Sequence, residues 1–152
     1  MKILEILTLK RWVGNLGERE AAGFLRKKGY KILKKNYVAH GAEIDIIAKK
    51  DNVTAFVEVK TRNVNSLGHK EARPGSSVTP EKQRKIIKAA SHFSCHNPQN
   101  TRLRLDVIEV YVEGTDKRLK VKEIKHIEGA FDKNTAFDSK YAYIRKKEGS
   151  NL

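Results

Sequence analysis

Two short runs carry most of the chemistry in this chain: Glu43-Ile44-Asp45-Ile46-Ile47 and Phe56-Val57-Glu58-Val59-Lys60. Each alternates side chains as a β-strand does, and strand side chains alternate faces. Asp51-Asn52 between them suits a tight turn. A hairpin centred there sets Asp45 across from Glu58 and Glu43 across from Lys60. Ile44, Ile46, Ala48, Ala55, Val57 and Val59 then share an apolar face. Glu43, Asp45, Ile47, Phe56, Glu58 and Lys60 share the other. Directly opposed like charges destabilise a strand pair. Two carboxylates beside Ile47 and Phe56 do not both ionise readily without a cation. A divalent metal resolves that conflict. Oxygen ligands without nearby Cys or His suit Mg2+ or Mn2+, which gives Asp45 and Glu58 as expected metal ligands. Lys60 on the same face can orient or deprotonate a water, or neutralise phosphate charge. The plain alternative is a solvated sheet face with Glu43 and Lys60 as an ion pair.

These strands need flanking elements. Asn15–Lys28 reads as the first solid helix, with Asn15 as N-cap, Glu18 closing a capping box and Gly29 as the stop. Glu18 lies on the stripe of Ala21, Ala22 and Leu25, so it points to the sheet. Residues 1–13 read as an N-terminal extension, with Leu4, Leu7 and Trp12 packing somewhere. Tyr30–Asn36 reads as the first strand. Thr61–Ser77 is polar and holds Gly68, Pro74 and Gly75, which marks a mobile loop. Thr79 caps a second helix to about Phe93, with Pro80 in its first turn. Gln83 shares its inward stripe with Ile86, Ile87, Ala90 and Phe93. Leu103–Val112 and Leu119–Ile127 complete the strands. The expected domains are residues 14–131 as one nuclease-like unit and 132–152 as a basic tail. This order of elements gives an α/β fold with a mixed sheet between helices.

Composition bounds the function. The chain has 152 residues, 33% charged and 39% hydrophobic, with a net charge of +14. That excess is larger than solubility requires and favours a polyanion, nucleic acid above an anionic membrane surface or acidic protein. No apolar stretch approaches the ~20 residues that span a bilayer. The single cysteine, Cys95, reads as a small buried or half-buried side chain, and no Cys/His cluster has zinc spacing. Residues 1–14 lack a small-residue cleavage site, and the expected location is cytoplasmic.

Taken in order, Gly17-Glu18, Gly29-Tyr30, Asn36, Glu43-Ile44-Asp45, Phe56-Val57-Glu58-Val59-Lys60, Arg62, Gln83-Arg84-Lys85 and Asp106-Val107 resemble the YraN family of bacterial proteins. That family is similar in pattern to the PD-(D/E)XK nucleases, including archaeal Holliday-junction resolvases. The resemblance covers about residues 14–131. Ala42 departs from it, standing where the family more often has glycine. It implies a restriction-endonuclease-like core in which Asp45 and Glu58 bind metal and Lys60 assists the water. Glu18 then matches the acid of the first helix, and Gln83 the polar residue of the later one. The expected activity is Mg2+- or Mn2+-dependent phosphodiester hydrolysis, with DNA as substrate. Two alternatives stand beside it: a nucleic-acid-binding module of the same fold with little or no cleavage, and an interaction subunit for an acidic protein. Arg62, Lys70, Arg73, Lys82, Arg84, Lys85, Arg145, Lys146 and Lys147 are the expected nucleic-acid contacts. A junction resolvase would need paired sites, hence a homodimer.

Overall fold

A computed structural model describes residues 2–64, 78–115 and 118–131. Seven elements follow in order: α1 (Ile3–Lys27), β1 (Lys31–Ala39), β2 (Ala42–Lys50), β3 (Val53–Asn63), α2 (Pro80–His96), β4 (Arg102–Glu113) and β5 (Lys120–Phe131). The strands form one sheet in the order β1-β2-β3-β4-β5. β3 and β4 run parallel, and the other neighbours are antiparallel. Parallel neighbours need a long crossover, and α2 supplies it. The architecture is the expected one: α/β, a mixed sheet with helices, as in a restriction-endonuclease-like core.

Both faces of the central strands β2, β3 and β4 are buried. On one, Ala21, Ala22 and Leu25 of α1 cover Ile46, Ala48, Ala55, Val57, Ile108 and Val110. On the other, Ile86, Ala89, Ala90 and Phe93 of α2 cover Ala42, Ile44, Ile47, Phe56 and Val107. Burial on both faces explains why β3 and β4 read as nearly continuous apolar runs.

The capping signals of α2 hold. The Thr79 side chain accepts the Lys82 N–H at 3.2 Å, and Pro80 stands in the first turn. α1 differs from expectation. It starts at Ile3, and Asn15 is an exposed residue inside it rather than its cap. Residues 3–13 are mostly Leu, Ile, Lys, Arg and Thr without proline, so nothing breaks the helix there, and Gly14 alone costs about 1 kcal/mol. Nor do its first turns pack: Ile3, Leu4 and Leu7 are exposed. The stop is as expected, since Gly29 takes φ +90°. Cys95 is exposed, not buried. It lies on the outer side of α2, two residues past the buried Phe93.

Two local features aim the elements at one another. Gly17 lets α1 lie directly on β3, because a Cβ there would collide with Thr61 Oγ1. Asn36 takes φ +51° in mid-β1. Near it the alternation of β2 breaks: Ile44 packs on the α2 side, but Ile46 packs on the α1 side. The single apolar face expected for Ile44 through Val59 is therefore not formed. Asp45 stands at the break.

Candidate active site

The hairpin register is as expected where it is regular. Ile46 faces Val57, Ile47 faces Phe56 and Ala48 faces Ala55. The ladder ends there, so Asp45 and Glu58 are not a strand pair, nor are Glu43 and Lys60. Instead the Asp45 carboxylate enters the gap. Its Oδ2 accepts the Val59 N–H at 2.7 Å, taking the place of a main-chain acceptor. β3 itself continues against β4, with Glu58 beside Val107 and Lys60 beside Glu109.

The acids still gather in one place. Glu18, Asp45, Glu58, Lys60, Thr61 and Asn63 line a cleft of about 460 Å³ between α1 and β3. A second cleft, about 390 Å³, lies on the other side of Asp45 and Glu58. It is bounded by Gly41, Ala42 and Glu43 on one wall and Thr79, Glu81, Lys82 and Lys85 on the other. Asp45 and Glu58 thus form the partition between two openings.

The electrostatics show the conflict expected of crowded acids. Asp45 is pushed up to about 7, first by burial and then by the Glu58 charge, with Glu18 adding to it; the Val59 N–H and Lys82 oppose the rise. Glu18 is also raised, by burial, Glu43 and Glu58, against Lys35. With its amide nitrogen turned to the acids, Asn36 reaches Glu43 Oε1 at 3.1 Å and Glu18 Oε2 at 3.2 Å. Glu58 is almost fully buried, and two ammonium groups meet its Oε1: Lys60 at 3.2 Å and Lys82 at 2.5 Å. Desolvation pulls Lys82 down, but the Glu58 contact more than offsets it and keeps Lys82 charged.

Lys82 is the residue that sequence reasoning placed elsewhere. It was expected at the nucleic-acid surface, with Gln83 facing the acids. The structure brings Lys82 to Glu58, while Gln83 donates to the Val78 carbonyl at 2.9 Å and leaves its Oε1 buried without a partner among the described residues. Arg62 is likewise turned inward. Its Nε donates to Glu109 Oε2 at 2.9 Å, and Glu109 is wholly buried. Lys85 is exposed beside Glu81 at 3.6 Å, and Arg84 is exposed. Lys70, Arg73, Arg145, Lys146 and Lys147 lie outside the described residues, as do residues 65–77; Thr61, expected to open a loop, instead belongs to β3, which runs on to Asn63 beside β4.

Asp106 has a separate role. It is fully buried between Arg104 (2.8 and 2.9 Å), His126 Nε2 (2.8 Å) and the Gly129 N–H (2.9 Å). Burial alone would raise it; these partners outweigh burial and hold it below the usual carboxylate range. The cluster joins β4 to β5 away from the clefts.

The donor set suits a hard cation. Asp45 and Glu58 offer carboxylate oxygens at the partition, and their hydrogen bonds among the described residues fall on Oδ2 and Oε1, leaving Oδ1 and Oε2. Among the described residues no group of three His, Cys, Asp or Glu is arranged to hold a metal. Asp45 and Glu58 are the residues that would hold a Mg2+ or Mn2+ ion here, by their carboxylate oxygens. No helix among the described residues is long and apolar enough to cross a membrane.

Comparison with known proteins places this architecture. Residues 17–110 match the model of "Uncharacterised protein family UPF0102". A UPF0102 protein of Chloroherpeton thalassium is 43% identical over 78% of this chain and 92% of its own length. One from Caldanaerobacter subterraneus is 42% identical over 80% and 96%, and one from Clostridioides difficile 44% over 78% and 95%. The chain therefore belongs to the UPF0102, or YraN, family.

Proposed function

We propose that this protein is a metal-dependent nuclease that hydrolyses phosphodiester bonds in DNA, and that it works in the cytoplasm. The observation that carries this reading is the partition itself: two carboxylates that repel one another, with two lysines on the same Glu58 oxygen, between two solvent-open clefts. Asp45 and Glu58 would hold Mg2+ or Mn2+, which supplies Lewis-acid stabilisation of phosphate charge and a more acidic bound water. Lys60 lines the α1-side cleft with its ammonium 3.2 Å from Glu58 Oε1. There its ammonium can orient the attacking water or meet developing charge on a phosphate oxygen. Lys82 offers a second cation from the α2 side. Glu18 bounds the cleft opposite Lys60 and can accept a hydrogen bond from a water. The +14 net charge supplies the attraction for the polyanion, with Arg84 and Lys85 on the exposed start of α2.

A second reading is a nucleic-acid-binding module that does not cleave. The double lysine clamp on Glu58 favours it, because both ammonium groups already satisfy that carboxylate without a metal. Incubating the protein with linear, single-stranded and four-way-junction DNA, with Mn2+, Mg2+ or EDTA, separates the two. Metal-dependent strand scission is expected. DNA retention without scission of any substrate would establish the binding module instead.

A further inference from the structure

Three histidines meet at the far end of the α2 side, apart from the acids. His92 and His96 are one turn apart on α2, their ring centroids 4.2 Å from each other. His40, in the β1–β2 turn with φ +50°, brings its ring centroid to 5.2 Å from that of His92. His96 Nδ1 lies 2.8 Å from the His92 carbonyl oxygen, which can only accept, so Nδ1 carries the proton and Nε2 keeps its lone pair. His92 Nδ1 is engaged by the Tyr37 hydroxyl at 2.6 Å. Such a bond on one ring nitrogen is how metal-binding imidazoles are fixed and their other nitrogen aimed. Two histidines at i and i+4 are also the spacing by which one helix face chelates zinc.

We propose that His92 and His96, completed by His40, form a binding site for a borderline transition-metal ion such as Zn2+. Imidazole nitrogens select such ions, whereas the oxygen-only partition selects Mg2+ or Mn2+. The rings do not converge on one point as they stand. His40 and His96 are exposed, so their rings are free of packing and able to turn toward an ion beside His92. The consequence for the fold is a staple. His40 adjoins Gly41, Ala42 and Glu43, one wall of the second cleft, and His92 and His96 belong to the helix whose start forms the other wall. An ion across them fixes the width of that cleft.

The test is calorimetric titration of the full chain with Zn2+ at pH 7.5, in excess Mg2+ so that the carboxylates are occupied. One Zn2+ per chain is expected. His96→Ala should weaken it at least tenfold; His96 is exposed and its contacts among the described residues are the His92 carbonyl and ring, so the variant should fold. His92→Ala should do the same, and circular dichroism checks its fold. Asp45→Asn and Cys95→Ser should bind as the wild type does. Zn2+ should raise the melting temperature of the wild type but not of His96→Ala. Unchanged affinity in His96→Ala would overturn the proposal. So would loss of binding in Cys95→Ser or Asp45→Asn, which would move the ion to the thiol or the acids.

Discussion

The carboxylate of Asp45 accepts the main-chain N–H of Val59 at 2.7 Å, so a side chain stands where a strand partner would be. That single bond ends the β2–β3 ladder and fixes Asp45 next to Glu58. It also holds a carboxyl group in a half-buried place where its charge is disfavoured.

Asp45 therefore links stability to pH. Its value rises from 3.8 unfolded to about 7 folded. Between those values the native state holds more protons than the unfolded chain, so stability falls as pH rises through the window. Asp45→Asn keeps an oxygen for the Val59 N–H and removes the charge. At pH 8 the variant should be more stable by about 1–2 kcal/mol, after allowance for solvent contact, and near parity is expected at pH 4. Adding Mg2+ should stabilise wild type at pH 8 more than the variant. Urea unfolding at the two pH values checks this; superimposed curves would contradict the linkage.

Arg62 should matter to the fold more than to nucleic acid. Its side chain is 13% exposed, and it pairs with a Glu109 that is 0% exposed and has one oxygen without a partner among the described residues. Removing one member of such a pair leaves a buried charge uncompensated, which costs about 3–5 kcal/mol. Arg62→Ala should thus lower the urea midpoint strongly, and Arg62→Met with Glu109→Leu should recover much of the loss. A stable Arg62→Ala protein with weakened DNA binding would return Arg62 to the surface role.

Gly17 is where α1 meets the site. A side chain at this position must displace Thr61, whose Oγ1 would overlap the added carbon and whose Cβ lies 2.9 Å from it. Gly17→Val should destabilise by about 1–3 kcal/mol, the usual cost of overpacking. Because Glu18 is the next residue, activity should fall further than stability does. Thermal melts that match the wild type would mean that α1 does not rest on β3 here.

The regular part of the site was legible because strand physics is periodic. Ile46–Val57 and Ile47–Phe56 pair as the Asp51-Asn52 turn requires, with Asp51 at φ +51°. The break at Asp45 was not legible, because it depends on Asn36 leaving the strand conformation in a neighbouring element. Sequence alternation carries no sign of that. Lys82 and Gln83 exchanged expected places for a different reason. Adjacent helix residues differ by about 100° in direction, and a long flexible lysine reaches a carboxylate that a shorter amide does not. Arg62 reads as a surface cation in the sequence because Glu109 lies far away along the chain and the parallel β3–β4 pairing is what brings it near. The start of α1 was misplaced because Asn15 has a capping residue's chemistry but follows residues that continue the helix.

The most direct test of the central claim compares wild type with Lys60→Ala, in cleavage and in binding, on one DNA substrate with one metal. Lys60 is 24% exposed, and Lys82 stays on Glu58 when it is removed, so the fold should change by only about 0.5 kcal/mol. Its work is on the water and on charge that develops along the reaction, so truncation should appear in rate rather than affinity. A metal-dependent nuclease with this site predicts cleavage reduced by about a hundredfold or more, as for other residues that act on the transition state, with DNA affinity within about twofold. Equal cleavage by Lys60→Ala and wild type would contradict the assignment of this site.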